Sequence, residues 1–129
     1  MAVGTLASQK LDAVNGIYTA SFTADTTPTA SGIYIGFIPR IIKMTQLSGS
    51  PDATSRSYFF EGMTAATAVV VAAAGDLTIA AATGYTLTTG NETTVVAKAT
   101  NSPNASGEGF VIGVSVQATS IGYFLEVLR

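Results

Sequence analysis

The sequence predicts an all-β fold: a small β-sandwich or barrel-like domain of short antiparallel strands, with an extended N-terminal arm. Three observations carry that prediction. Thr, Ala, Val, Gly and Ser dominate the chain. Short apolar runs rich in β-branched and aromatic residues recur at intervals of about ten residues. Between them stand Gly, Pro, Asn and Ser, the residues that make turns.

The elements follow in order. Residues 1–30 are rich in Ala, Thr and Ser, and only Ile17-Tyr18-Thr19-Ala20-Ser21-Phe22 alternates as a strand does. They are therefore read as an arm with at most one strand, and 31–129 as the β domain. So few large apolar groups cannot offset the ordering entropy of the arm, which is expected to stay mobile until a neighbour receives it. Asp25 to Gly32 is a turn by composition. Ile33–Ile38 and Ile41–Leu47 form the clearest pair of strands, with Pro39 at an edge, bulge or turn because it has no N–H to donate. After the loop from Ser48 to Ser55, the consecutive aromatics Tyr58-Phe59-Phe60 imply burial on both faces. The run Ala65–Ala74 has alanines enough for a helix, but Thr67 and Val69 to Val71 are β-branched, so strand and loop are expected. Leu77–Ile79, Tyr85–Thr89 and Thr93–Ala99 follow as strand candidates. The polar loop 101–109 then leads to the closing strands Phe110–Val116 and Gly122–Leu128.

At 129 residues, one domain is expected to bury about two thirds of its unfolded surface without a staple. No apolar run reaches the ~18 residues of a membrane helix, so no membrane partner is expected. The first residues lack the basic start and long apolar stretch of an export signal. Six basic residues (Lys10, Arg40, Lys43, Arg56, Lys98 and Arg129) are scattered against eight acidic ones, which argues against a nucleic-acid partner.

Catalytic equipment is sparse. Histidine, cysteine and tryptophan are absent, so a nucleophilic Ser or Thr has only Lys10, Lys43 or Lys98 as a base, none in a motif. A carboxylate pair would have to come from Asp12, Asp25, Asp52, Asp76, Glu61, Glu92, Glu108 and Glu126, most of them beside turn residues. Glu61 stands apart, since it follows three aromatics, and pairing with Arg40 or Arg56 is its expected role. Asp52 and Asn91-Glu92 are thin candidates for calcium, without the spaced loop that such sites use. No catalytic residue, cofactor or metal ligand is assigned, and no enzymatic activity is expected. The five tyrosines and six phenylalanines could line a sugar-binding face, but they sit inside apolar runs and read as core.

The sequence Gly36-Phe37-Ile38-Pro39-Arg40, then Phe60-Glu61-Gly62-Met63, then Gly109-Phe110-Val111-Ile112-Gly113 ahead of a terminal strand with Tyr123, resembles the head decoration (capsid cement) proteins of tailed bacteriophages. The resemblance spans residues 32–129. It departs in the Ala-Val run at 65–74 and the long loop at 101–109. It implies a virion structural protein on the capsid exterior, made in the host cytoplasm, that bridges major capsid subunits, often as a homotrimer. A receptor-binding or tail-associated module and a carbohydrate-binding domain are the alternatives. The interface is expected at Phe37, Ile38, Pro39 and Arg40 or at Tyr123, Phe124 and Arg129, where large apolar groups approach a sheet edge.

Overall fold

In each central strand, apolar residues at every second position turn to one side and bury themselves. In Ile17–Thr23, Tyr18, Ala20 and Phe22 go inward while Thr19 and Ser21 stay half-exposed. A computed structural model describes residues 2–47 and 55–129. Among them lie nine strands: β1 (Thr5–Asp12), β2 (Ile17–Thr23), β3 (Ser31–Tyr34), β4 (Ile41–Gln46), β5 (Arg56–Phe60), β6 (Thr67–Val71), β7 (Leu77–Thr89), β8 (Glu108–Ile112) and β9 (Gly122–Leu128). A short 3-10 helix, Val114–Val116, precedes β9. The fold is all-β, as expected.

The strands form one antiparallel sheet in the order β1-β2-β9-β4-β5-β6-β7-β8-β3. It curls into a half-barrel, and segment 97–100 spans the open side. On one flank the Gly32 N–H donates to the Ala97 carbonyl at 2.9 Å and Ala99 N–H to the Gly32 carbonyl at 2.7 Å. On the other, Leu6 N–H donates to the Thr100 carbonyl and Thr100 N–H to the Gly4 carbonyl, both at 2.9 Å. The edge strands β3 and β1 are thereby tied to each other, which removes much of the unpaired edge that an open sheet exposes.

The concave side holds the core. Leu6, Tyr18, Phe22, Ile33, Ile35, Phe37, Ile42, Met44, Phe59, Tyr85, Phe110, Ile112, Tyr123, Leu125 and Val127 are all buried there. Four of the five tyrosines are buried, and in the core Tyr18, Tyr85 and Tyr123 each have a partner for the hydroxyl: Tyr18 donates to Gln9 Oε1 at 2.6 Å, Tyr85 meets Ser57 Oγ at 2.5 Å, and Tyr123 accepts the Ala118 N–H at 2.9 Å. Burial pushes the Tyr18 and Tyr85 phenols well above their ordinary value, so both stay neutral. Packing also dictates glycine at two crossings. A Cβ at Gly109 would stand 2.2 Å from the Ile33 carbonyl oxygen, and one at Gly113 would stand 2.0 Å from that of Thr83.

Several expectations are corrected. Residues 1–30 are not an arm: β1 and β2 belong to the sheet, β2 pairs along its whole length with β9, and Leu6, Tyr18 and Phe22 are core. The few large apolar residues suffice because β1 is held by backbone bonds to β2 and to Thr100. β3 and β4 are strands but not neighbours, since β4 lies between β5 and β9 while β3 pairs with β8. Thr93–Ala99 forms no strand, only isolated bridges at Lys98 and Thr100. Phe110–Val116 breaks at Gly113 into β8 and the 3-10 helix. The Ala-Val run does resolve into strand and loop, as β6 and the turn before β7. Most of the loop from Ser48 to Ser55, with Asp52, lies outside the described residues.

Candidate contact surface

The convex side of the sheet is where this fold departs from a simple apolar-in, polar-out plan. Cross-strand register sets its outward side chains in rows. Ile17 faces Leu128, Leu128 faces Ile41, and Ile41 faces Phe60, so one apolar row crosses β2, β9, β4 and β5. The next row runs Thr19, Glu126, Lys43, Tyr58, Val69, Ile79, and the third Ser21, Phe124, Thr45, Arg56, Val71, Leu77. Ile17, Leu128 and Phe60 are 43%, 41% and 44% exposed, values high for large apolar groups standing side by side. The Tyr58 and Phe60 rings lie parallel on this face, 5.9 Å apart and inclined by 10°.

Polar groups rim the apolar row. Arg40 and Glu61 form a two-pronged pair, Nε to Oε2 at 3.1 Å and Nη2 to Oε1 at 3.2 Å, with both side chains 64% exposed. Glu61 thus takes the expected partner, but at the surface, where such a pair contributes under about 1 kcal/mol. Lys43 and Glu126 approach to 3.7 Å in the middle row. With Ile41, Phe60 and Leu128, the Arg40, Glu61 and Arg129 side chains line a shallow depression at the end of the face.

The residues expected at an interface divide between core and surface. Phe37, Pro39 and Tyr123 are buried within the chain and offer a partner no surface, because Ile35 and Phe37 turn inward after β3 and β9 buries alternate residues from Tyr123. Ile38 is half-buried; Arg40, Phe124 and Arg129 are exposed. The fold brings Arg40 and Arg129 together at one end of the sheet: Arg40 N–H donates to the Leu128 carbonyl at 2.8 Å, and the Arg129 guanidinium lies over the Phe37 ring at 5.5 Å. Phe124 stands apart, two rows from them. Sequence reasoning missed Ile17, Ile41, Tyr58 and Phe60, while Leu128 falls within the terminal strand, Tyr123 to Arg129, expected at the interface. Their signal was present in the adjacent apolar pairs Ile17-Tyr18, Ile41-Ile42, Phe59-Phe60 and Val127-Leu128, each of which must put one apolar group on either face.

The convex face is covered at its other end. Tyr34 folds back over Gly32 and donates from its hydroxyl to the Val96 carbonyl at 2.7 Å, and Val96 lines two small cavities together with Val111. The stretch 91–97 therefore lies over β3, β8 and the second half of β7, and Tyr34 and Val111 are buried beneath it.

The carboxylates are occupied by local structure. Glu92 accepts the N–H groups of Thr89 and Gly90 at 2.6 and 2.9 Å and the Thr89 hydroxyl at 3.1 Å; chiefly the Thr89 N–H holds it below the ordinary carboxylate value. Asp12 is lowered by Asn15, whose side-chain amide and backbone N–H both donate to it. Asp25 accepts the Thr27 N–H at 3.1 Å. Among the described residues, no three acidic groups are placed to hold a metal ion. What the convex face can do chemically is exclude water against a complementary surface. No family model, no curated protein and no solved structure matches this chain.

Proposed function

We propose that this chain is a virion structural protein that binds the outer surface of a phage capsid and stabilises the shell by bridging neighbouring major capsid subunits, with no bond made or broken. The observation that carries the reading is the uncovered apolar row Ile17, Leu128, Ile41 and Phe60, flanked by Arg40, Glu61 and Arg129. A convex sheet face with an apolar row and charged groups beside it suits contact with a large rigid surface rather than capture of a small molecule. The resemblance of Gly36–Arg40, Phe60–Met63 and Gly109–Gly113 to head decoration proteins supports the capsid as that surface. The lack of histidine and cysteine, and the use of Asp12, Asp25 and Glu92 within turns, support a role without catalysis.

The test is direct. Purified protein is added to phage heads that lack it, and bound protein is measured by co-sedimentation together with the resistance of the heads to heat and osmotic shock. Saturable binding with a gain in resistance is the expected result. Heads that neither bind the protein nor gain resistance would refute the reading.

One observation favours a carbohydrate-binding module instead, the parallel Tyr58 and Phe60 rings beside Arg40 and Glu61. Glycan binding that is lost in Tyr58→Ala, with no binding to heads, is the result that would replace the first reading by this one.

A further inference from the structure

Unpaired strand edges are where sheets of different molecules join, and among the described residues this chain treats two such edges very differently. The first is β1 beyond Leu6. There Ser8 takes a positive φ of 52°, the register with β2 slips between Ala7 and Lys10, and the charged Lys10 and Asp12 stand on the strand. A bulge and charges are the devices that block edge-to-edge pairing.

The second is the first half of β7. Tyr85–Thr89 pairs with β8, whereas among the described residues Leu77–Ala80 pairs with β6 alone; β7 also carries a register slip, but it falls beyond Ala80, between Ala80 and Tyr85, and leaves Leu77–Ala80 regular. The 3-10 helix closes the open side from Thr83 onward, through the hydroxyls of Thr83 and Ser115 and the Gly113 N–H on the Gly84 carbonyl. Upstream of Thr83 no described residue pairs with this edge. Leu77 is 66% and Ile79 58% exposed, and residues 77–83 contain neither a charge nor a proline.

The hydrogen-bonding groups point the right way. Ala72 N–H donates to the Asp76 carbonyl at 2.9 Å, which fixes the alternation of the ladder. Thr78 and Ala80 then bond to β6, and the N–H and C=O of Leu77 and Ile79 face outward.

We propose that this edge is a pairing site for a second copy of the chain, the two β7 strands running antiparallel about a two-fold axis near Ile79. The segment complements itself. With Ile79 beside its mate, Leu77 lies opposite Ala81 and Thr78 opposite Ala80 of the other copy, so that Leu77 and Thr78 meet small residues and no like charges meet. Leu77 and Ile79 already adjoin Val71 and Val69 on the convex face, and a two-fold axis normal to the sheet makes that apolar surface continuous across both copies. This pairing is independent of what the convex face binds. A contact confined to one short edge buries less than the ~1,600 Å² of a stable complex, so the pair is weak in free solution and is favoured where copies are concentrated.

The chain contains no cysteine, so a single introduced thiol reports on pairing. Residues directly opposite in a hydrogen-bonded antiparallel pair have Cα atoms about 5.5 Å apart, within disulfide range. Ile79→Cys is expected to form a covalent dimer under mild oxidation at least about tenfold faster than Val14→Cys, the local concentration at a paired edge exceeding that in bulk; Val14 is 86% exposed in the β1–β2 turn. In sedimentation velocity the wild type is expected to show a concentration-dependent dimer that Ile79→Lys abolishes, with an unchanged circular dichroism spectrum. Equal cross-linking rates at 79 and 14, or an assembly of any order that survives Ile79→Lys, would overturn the proposal.

Discussion

Phe60 offers the sharpest test of the convex face as a contact surface. It ends β5 and closes the apolar row, opposite Ile41, with its ring parallel to that of Tyr58. A phenylalanine presents about 200 Å², so its 44% exposure leaves about 90 Å² for a partner to cover. At about 25 cal/mol per Å² that area contributes about 2 kcal/mol on contact, or about thirtyfold in Kd. Phe60→Ser should therefore weaken binding to undecorated heads by about that factor, read from titration by co-sedimentation. The fold should survive, since Phe59, not Phe60, is the core residue of this strand. Leu128→Ser and Ile17→Ser, on the same row, should each act in the same direction with a smaller effect. If Phe60→Ser, and a variant that combines it with Leu128→Ser and Ile17→Ser, bind heads with wild-type affinity while remaining folded, the convex face is not the contact surface.

Three further outcomes concern the fold. Tyr85→Phe should cost about 1–3 kcal/mol in denaturant unfolding because it strands the buried Ser57 hydroxyl, and adding Ser57→Ala should recover a large share of that loss. Gly109→Ala should cost about 1–3 kcal/mol, since its Cβ would meet the backbone of β3 and push that strand from β8; a melting temperature equal to the wild type would show that β3 yields freely. Asp12 and Glu92 are both held below their ordinary values of 3.8 and 4.5 in the folded state. Depressed carboxylates add stability that is complete above those values and lost as pH falls below them, so thermal melts should show a decline on the acid side that Glu92→Gln makes shallower.

How much of this was legible in the sequence depends on the range of the interaction. The strands containing Tyr18, Ile42, Tyr85 and Leu125 could be placed because their inward residues alternate, and alternation is a local property. Strand β1 could not: in Thr5–Asp12 only Leu6 and Leu11 are large and apolar, and what secures the strand is backbone bonding to β2 and to Thr100, far along the chain. The same limit hid the neighbours of β3 and β4, which are adjacent in sequence yet lie in separate parts of the sheet. Tyr58-Phe59-Phe60 was read as burial on both faces. The residues do establish that both faces are apolar at that point, but whether the chain itself covers the second face is decided by distant segments.

That distinction bears on function. The chain covers its own convex face at one end: the stretch 91–97 lies over β3, β8 and half of β7, sealed by the Tyr34 hydroxyl on the Val96 carbonyl. Among the described residues, no segment does the same for Ile17, Leu128, Ile41 and Phe60. Leaving such a row in water works against solubility and does not help the core, which is complete without it. The polar residues that would relieve that liability occupy the same face elsewhere, with Thr19, Glu126 and Lys43 one row away. A row of large apolar side chains, kept at one level across four strands of a sheet able to carry polar ones, is best explained by a surface that meets it.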